Sequence, residues 1–180
     1  MSASLTWHEE PIARHHDRSG FDCGNPELNL YVAKFARQNH EAGGAKTFVA
    51  VGSPGDAAIL GFYSICPGAI EFGRVPTKLT KKLGHYDVLV FRLGRLAVDR
   101  ASQGRGLGGE LLGAAGVRAL AVAMEVGGVA LAIDAKDQRA AEWYMRFGAF
   151  PLLDDPTKLV LPLQVVANEL AAIQGPKAPR

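Results

Sequence analysis

A glycine-rich hexapeptide near the middle of the 180-residue chain has residue types suited to binding a diphosphate. It reads Gln103-Gly104-Arg105-Gly106-Leu107-Gly108 and follows an apolar stretch that predicts a long strand over 87–98. Alternating glycines let a backbone approach a bulky anion without side-chain interference. The helix predicted over 106–126 would add free N–H groups and the positive end of its dipole, and Arg105 adds a full charge. The hexapeptide therefore predicts an anion site, while its spacing alone is equally compatible with a flexible helix entry.

The surroundings of the hexapeptide differ from those of two common phosphate-binding motifs. A P-loop requires Gly-Lys-Ser/Thr after its glycines, and a dinucleotide-binding fold requires G-x-G-x-x-G after a parallel strand. Here two predicted strands over 46–51 and 58–65 precede the hexapeptide, joined by the turn Ser53-Pro54-Gly55-Asp56. This pattern indicates an antiparallel hairpin. A P-loop and a dinucleotide-binding fold are therefore both disfavoured.

The remaining periodicities predict the elements that would position the hexapeptide. Asn25 and Pro26 begin a predicted helix that continues to about His40. Strands over 129–133 and 158–163 and a helix over 137–147 follow the long helix. The order predicts an α/β fold in which helices flank a mixed central β-sheet, with the ligand where a strand end meets a helix start.

Composition favours one globular domain. The chain is 48% hydrophobic and 21% charged, which suits a single core over residues 1–165 with a polar tail over 166–180. No apolar stretch appears long enough to span a membrane, and the N-terminus lacks the pattern of a secretory signal. The two distant cysteines, Cys23 and Cys66, are interpreted as buried reduced thiols. We expect a cytoplasmic protein without membrane attachment.

The histidines give no metal-binding pattern. His15 and His16 are interpreted as a polar surface pair, because no further ligands stand at useful spacing around them. We therefore expect no metal site.

Positive charge is concentrated just before the glycine-rich hexapeptide. Residues 74–105 hold eight basic and two acidic residues, for a net charge of +6, whereas the remaining twelve basic and sixteen acidic residues give −4. Such asymmetry indicates a polyanionic ligand, although charge runs also serve solubility. The candidate contacts to that ligand are Arg74, Lys78, Lys81, Lys82, Arg92 and Arg95. Arg95 also alternates with buried strand residues, so a structural role for it stays open.

The motifs together resemble a known family. Gln-x-x-Gly-x-Gly after an apolar strand resembles the signature of the GNAT N-acetyltransferases. The additional motifs are similar to those of the GNAT toxins of bacterial toxin–antitoxin pairs, from about Phe21 to Leu163. They are Phe21-Asp22-Cys23-Gly24, Gly61-Phe62-Tyr63-Ser64, Leu93-Gly94-Arg95-Leu96-Ala97-Val98-Asp99, Asp134-Ala135-Lys136-Asp137 and Trp143-Tyr144.

The resemblance implies specific roles. Acetyl-CoA would be the co-substrate, with its pantetheine arm along Leu96, Ala97 and Val98 and its pyrophosphate on the backbone of Gln103, Gly104, Arg105, Gly106, Leu107 and Gly108. Tyr144 would be the general acid. The acceptor would be the α-amine of aminoacyl-tRNA, whose acetylation blocks translation. A ribbon-helix-helix antitoxin and a homodimer are also implied. Two departures from the family pattern are Asp137, where many members carry Asn, and Gly148-Ala149-Phe150 in place of Gly-Phe.

The chemistry is consistent with an α-amine acceptor. Free α-amines titrate near pH 8, so a useful fraction is neutral without a strong base, whereas lysine titrates near 10.4. No carboxylate is identified as a base by its spacing; Glu71, Asp99 and Asp134 are possible. Two alternatives stay open: a GNAT enzyme for a small-molecule or peptide amine, and a non-catalytic acyl-CoA-binding module.

Overall fold

The computed structural model describes residues 5–174. Its strands are β1 (His8–Pro11), β2 (Lys46–Val51), β3 (Gly61–Ile70), β4 (Val88–Val98), β5 (Ala130–Asp134), β6 (Phe150–Pro151) and β7 (Lys158–Pro162). Its helices are α1 (Pro26–Leu30), α2 (Ala36–Ala42), α3 (Thr77–Thr80), α4 (Leu107–Val126), α5 (Gln138–Met145) and α6 (Leu163–Gln174). The strands form a mixed seven-stranded sheet in the order β1-β2-β3-β4-β5-β7-β6. The predicted α/β fold with a mixed sheet and flanking helices is confirmed.

The chain divides into two compact units. The first contains the residues up to Cys66 together with Leu93–Ala115, and the second contains Pro67–Arg92 and the residues from Gly116 onward.

The first unit contains the predicted hairpin. β2 and β3 pair antiparallel, with Lys46 opposite Ile65 and Ala50 opposite Gly61. β1 pairs antiparallel with the other edge of β2. β1 was not predicted, because His-Glu-Glu-Pro has no apolar alternation. The Tyr63 hydroxyl donates a hydrogen bond to a Glu9 carboxylate oxygen at 2.7 Å, which ties β1 to the sheet.

The predicted helix from Asn25 forms but is not uniform. The Asn25 side chain accepts hydrogen bonds from the Glu27 and Leu28 N–H groups and so caps α1. A π-helical turn, Tyr31–Phe35, separates α1 from α2, which ends at Ala42 and is capped by Gly43. Apolar spacing cannot distinguish this turn from regular helix. The helix buries Val32 and Ala36 in a core that includes Val49, Phe62 and Ala97.

The second unit has its own apolar core and sheet contacts. β7 pairs antiparallel with β5 on one side and with β6 on the other. Buried residues of this core include Val88, Val90, Ala130 and Val160. Asp137 caps α5 by accepting a hydrogen bond from the Ala140 N–H at 2.7 Å. The carboxylate at this departure from the family pattern is thus used for helix capping.

Helix α4 qualifies by length and hydropathy as a membrane span, contrary to the sequence expectation. It is the one such helix among residues 5–174, and about 33% of its apolar window is buried inside the protein. Leu107, Leu111, Leu112, Ala115 and Ala119 are almost fully buried. A core helix of this kind meets the same criteria as a membrane helix, so the finding is weak evidence for a membrane.

Three other expectations from the sequence require correction. Helix α6 occupies most of the stretch predicted as tail, because Leu163 and Val166 bury apolar side chains there; residues 175–180 of that prediction lie outside the described residues. Cys23 and Cys66 are free thiols but only half-buried. His16 is 3% exposed instead of lying on the surface, because its ring accepts a hydrogen bond from the Ala13 N–H and contacts the Glu10 carboxylate.

Candidate active site

The glycine-rich hexapeptide, residues 103–108, forms a loop whose backbone faces open space. Gly104 and Gly106 have φ angles of +73° and +86°, a region that residues with side chains rarely adopt. A Cβ added at either glycine would meet nothing within 4 Å. Within residues 5–174, the N–H groups of residues 104–108 have no hydrogen-bond acceptor. These donors at the start of α4 are arranged as an anion site requires.

Gln103 holds the glycine loop in place. Its side-chain amide donates to the carbonyl oxygens of Val98 at 2.9 Å and of Cys23 at 3.0 Å. Its own N–H points to the Arg100 carbonyl at 3.4 Å. Gln103 therefore joins the end of β4 to the residues before α1, a positioning role beside the cofactor contact that the sequence predicts.

Two aspartates add further hydrogen bonds between the end of β4 and the residues before α1. The Asp99 carboxylate accepts from the N–H groups of Ala101 and Asp22, both at 3.0 Å. Asp22 in turn accepts from the Gly24 N–H at 2.9 Å and from the Asn29 amide at 2.8 Å. The Gly24 hydrogen bond is the largest cause of the lowered pKa of Asp22, followed by the Asn29 hydrogen bond. The sequence marked Phe21-Asp22-Cys23-Gly24 only as a family motif, and its positioning role was not predicted.

Close backbone packing fixes the strand end beneath the glycine loop. A Cβ at Gly61 would lie 2.9 Å from the Ala97 carbonyl oxygen and 2.8 Å from a Leu111 methyl group. Ala97 and Leu107 are buried, whereas Leu96 and Val98 are half-buried. The side chain of Leu107 therefore anchors the first turn of α4 while its N–H stays free.

Tyr144 lies in the last turn of α5. Its ring contacts that of Trp143 edge-to-face at 4.8 Å between centroids. Burial raises the pKa of the Tyr144 hydroxyl to about 12. The phenol therefore stays protonated at neutral pH and retains a proton to donate.

Two of the three carboxylates considered as bases are already engaged. Asp99 caps the turn before the glycine loop, as described. Asp134 lies 3.4 Å from the Arg92 guanidinium and 3.7 Å from the Lys158 ammonium. Both cations lie on the carboxylate that a base would have to present to the acceptor amine. No base is assigned.

The predicted polyanion contacts divide into paired and unpaired side chains. Arg74 pairs with Asp154 at 2.7 Å, and Arg92 with Asp134. Lys78 lies over the Phe150 ring and Arg95 over the Tyr31 ring, with 3.5 and 3.7 Å to the centroids. Lys81 and Lys82 are exposed and have no ion-pair partner within residues 5–174. These two lysines have the cations most available to a ligand.

Among residues 5–174, Glu10, His15 and His16 form a group close enough together to hold a metal ion. Their ligand atoms lie within 4.8 Å of one another. However, the Nδ1 atom of His16 accepts from the Ala13 N–H, which places the ring proton on Nε2, 3.1 Å from Glu10. A protonated nitrogen cannot bind a metal. The arrangement fits a structural clamp.

Comparison with known proteins identifies the family, although no protein-family model matches the chain. The chain is similar to a tRNA-acetylating toxin of Mycobacterium tuberculosis, with 34% identity over 150 residues, 83% of this chain and 88% of that protein. The chain belongs to the GNAT toxin family.

Solved structures of GNAT toxins share the fold. A tyrosine-to-phenylalanine variant of KacT superimposes with a TM-score of 0.85 at 25% identity, covering 91% of this chain and 99% of that one. AtaTR bound to acetyl-CoA superimposes with a TM-score of 0.80 at 25% identity, covering 92% and 99%. The family predicted from the glycine-loop motif and its companions is confirmed.

Proposed function

We propose that this GNAT toxin transfers the acetyl group of acetyl-CoA to the α-amine of aminoacyl-tRNA and thereby blocks translation. The observation that carries the proposal is the glycine loop, with unpaired N–H groups at the start of α4, in a chain related to a tRNA-acetylating toxin. Acetyl-CoA supplies the activated thioester. The work of the chain is to hold that co-substrate, orient it and provide a proton.

The glycine loop is suited to the pyrophosphate of acetyl-CoA. Its N–H groups from Gly104 to Gly108 and the dipole of α4 stabilise negative charge, and Arg105 is exposed beside them. The absence of Cβ atoms at Gly104 and Gly106 leaves the backbone accessible. We assign the pantetheine arm to the backbone of Leu96, Ala97 and Val98, where β4 leads into this loop.

We assign Tyr144 as the proton donor to the departing thiolate. Its phenol is fully protonated at cellular pH, as an ordinary tyrosine is, and burial raises its pKa further, to about 12. The acceptor α-amine, which titrates near pH 8, is partly neutral at that pH and can attack without a dedicated base. This division of roles agrees with the lack of an assigned base.

The acceptor is a polyanion, so we place its phosphates on the basic residues Arg74, Lys78, Lys81, Lys82, Arg92 and Arg95. Phosphate contacts of this kind give salt-dependent affinity without reading sequence. Lys81 and Lys82 carry most of this contact, since Arg74 and Arg92 are already paired with aspartates.

The same proposal includes the cellular setting. The chain acts in the cytoplasm as a single catalytic domain and as a homodimer. A ribbon-helix-helix antitoxin neutralises it, as is usual for GNAT toxins.

The proposal is tested with purified protein, labelled acetyl-CoA and total charged tRNA. Label is expected in the tRNA fraction, and mild alkaline cleavage of the aminoacyl ester should release it as N-acetyl amino acids. Deacylated tRNA should gain none. Tyr144→Phe should lower kcat by roughly 10²- to 10⁴-fold. The matched control is Tyr86→Phe, which removes a hydroxyl from a tyrosine that is 83% exposed.

Other outcomes separate the competing functions. Label that stays on the RNA after ester cleavage would contradict an α-amine acceptor. Label on small amines but not on tRNA would indicate a metabolite acetyltransferase. Bound acetyl-CoA without any transfer would indicate a binding module.

A further inference from the structure

A cleft beside the π-helical turn has the lining of a nucleotide-binding site. It has a volume of about 490 Å³ and lies within the first unit of the chain. Its lining residues are Tyr31, Phe35, Gln38, Asn39, Ala42 and Arg95. Two aromatic rings, two amides and one guanidinium thus surround the cleft, and none of them belongs to the glycine loop or to α5.

The hydroxyl group of Tyr31 lacks a hydrogen-bond partner. Tyr31 is 5% exposed, and its hydroxyl is buried without a donor or acceptor among residues 5–174. A buried hydroxyl without a partner costs about 1–3 kcal/mol, so such groups are rare unless a ligand satisfies them. The Arg95 guanidinium lies 3.7 Å above the Tyr31 ring and covers it. Arg95 itself is exposed at the cleft.

The backbone at the cleft is unusual as well. Tyr31 and Phe35 begin and end the π-helical turn, a conformation that is frequent at functional sites. The turn leaves the Phe35 ring 50% exposed. An aromatic ring exposed beside a cleft offers a flat surface on which a nucleobase can stack.

We propose that this cleft binds the 3′-terminal adenosine of the acceptor tRNA, with the base stacked on Phe35. The amides of Gln38 and Asn39 have the donor and acceptor pair that matches the edge of adenine. Arg95 would pair with the adjoining phosphate. This assignment rests on the proposed acetylation of aminoacyl-tRNA. Binding in the cleft would hold in place the 3′ end of the tRNA, which carries the amino acid.

Adenosine is present in both substrates, so the test must separate the tRNA from acetyl-CoA. Initial rates are measured with each substrate varied while the other is saturating. Phe35→Ala should raise KM for aminoacyl-tRNA by roughly tenfold, the loss expected for one stacked base, and leave KM for acetyl-CoA unchanged. Tyr31→Phe should raise KM for aminoacyl-tRNA about threefold.

The matched control is Leu30→Ala. Leu30 is 49% exposed at the end of α1, next to the cleft residues but not lining the cleft. It should leave both KM values unchanged. If the cleft had only a structural role, Tyr31→Phe would remove an unsatisfied hydroxyl and leave both KM values unchanged too.

A binding measurement provides a second readout. An RNA acceptor-stem hairpin with a complete 3′ end should bind the wild-type protein about tenfold more tightly than one lacking the terminal adenosine. Phe35→Ala should bind both hairpins equally.

Three outcomes would overturn the assignment. The first is an unchanged KM for tRNA in Phe35→Ala while the wild type acetylates tRNA, which leaves the proposed function intact. The second is a raised KM for acetyl-CoA alone, which would place the adenosine of CoA in the cleft. The third is a wild-type protein that binds acetyl-CoA but never labels tRNA, which would overturn the proposed function as well.

Discussion

The left-handed backbone at Gly104 and Gly106 is the residue-scale feature on which the proposed pyrophosphate contact depends. The free space around both positions would accept a methyl group, so the requirement for glycine comes from the φ angle and not from packing. An L-residue in this region costs about 1–2 kcal/mol. If the loop relaxes to avoid this cost, its N–H groups turn away from the proposed pyrophosphate position.

We predict that Gly106→Ala raises KM for acetyl-CoA by roughly fivefold to tenfold, because the strained loop loses its arrangement of donors. Gly113→Ala is the matched control. Gly113 lies inside α4 with open space around it, so alanine should stabilise the protein by about 1 kcal/mol and leave KM unchanged. Steady-state kinetics and thermal unfolding of both variants check the prediction. Equal KM values for the two would contradict it.

The pH dependence follows from Tyr144. Its raised pKa of about 12 keeps the phenol protonated through the whole range in which the acceptor amine loses its proton. We predict that kcat/KM rises with pH as the α-amine, near 8, becomes neutral and then levels off until about pH 10. A pH–rate profile measures this. A descending limb below pH 9 that disappears in Tyr144→Phe would contradict the assignment of a high pKa.

At the scale of elements, side-chain hydrogen bonds join the end of β4 and the loop that follows it to the residues before α1. Gln103, Asp99 and Asp22 supply these bonds. The bond from the Asp22 N–H to Asp99 and the bond from the Gln103 amide to the Cys23 carbonyl link residues that are far apart in sequence, so the attachment requires both elements to be in place. The glycine loop therefore gains its shape from its neighbours and not from its own sequence alone.

We predict that Gln103→Ala raises KM for acetyl-CoA about fivefold and lowers the free energy of unfolding by about 1 kcal/mol, since two hydrogen bonds are lost. Gln103→Glu should raise KM for acetyl-CoA and lower the free energy of unfolding by at least as much. A carboxylate cannot donate to the Val98 and Cys23 carbonyl oxygens, although it fills the same space. Kinetics and denaturant unfolding measure both effects. A fully active Gln103→Glu variant would show that the side chain acts through its size.

On the scale of the whole molecule, charge is distributed unevenly along the chain. The net charge of +2 conceals a segment of +6 over residues 74–105. Aspartates neutralise Arg74 and Arg92, while Lys81 and Lys82 remain exposed. The charge available to a polyanion is thus smaller than the sequence count suggests.

We predict that Lys81→Gln/Lys82→Gln weakens tRNA binding and flattens its salt dependence. The slope of log K against log salt should fall by about 1.5, since each lost phosphate contact on single or double strands removes 0.7–0.9. The control is Arg14→Gln/Lys46→Gln, an equal charge change outside the basic segment, which should leave the slope unchanged. Titrations at several salt concentrations measure both. Equal slopes for the two double variants would contradict a specific role for the lysine pair.

Local signals in the sequence determined much of this protein. Asn25 and Pro26 marked a helix start, the turn before β3 marked the hairpin, and the periodicity of α4 marked the helix after the glycine loop. These features depend on neighbours within about one turn or one strand, so spacing reveals them. The motif order determined the family in the same way. The roles of the site residues remain predictions.

Only the tertiary structure decided where side chains find distant partners. The Gln103 amide reaches the Cys23 carbonyl, and the Arg95 guanidinium lies over the Tyr31 ring. The strand β1 and the helix α6 form because a sheet edge and an apolar core already exist to receive them. The physical reason is the same in each case. Burial, pairing and the pKa of a group depend on contacts across the fold, and local sequence does not encode those contacts.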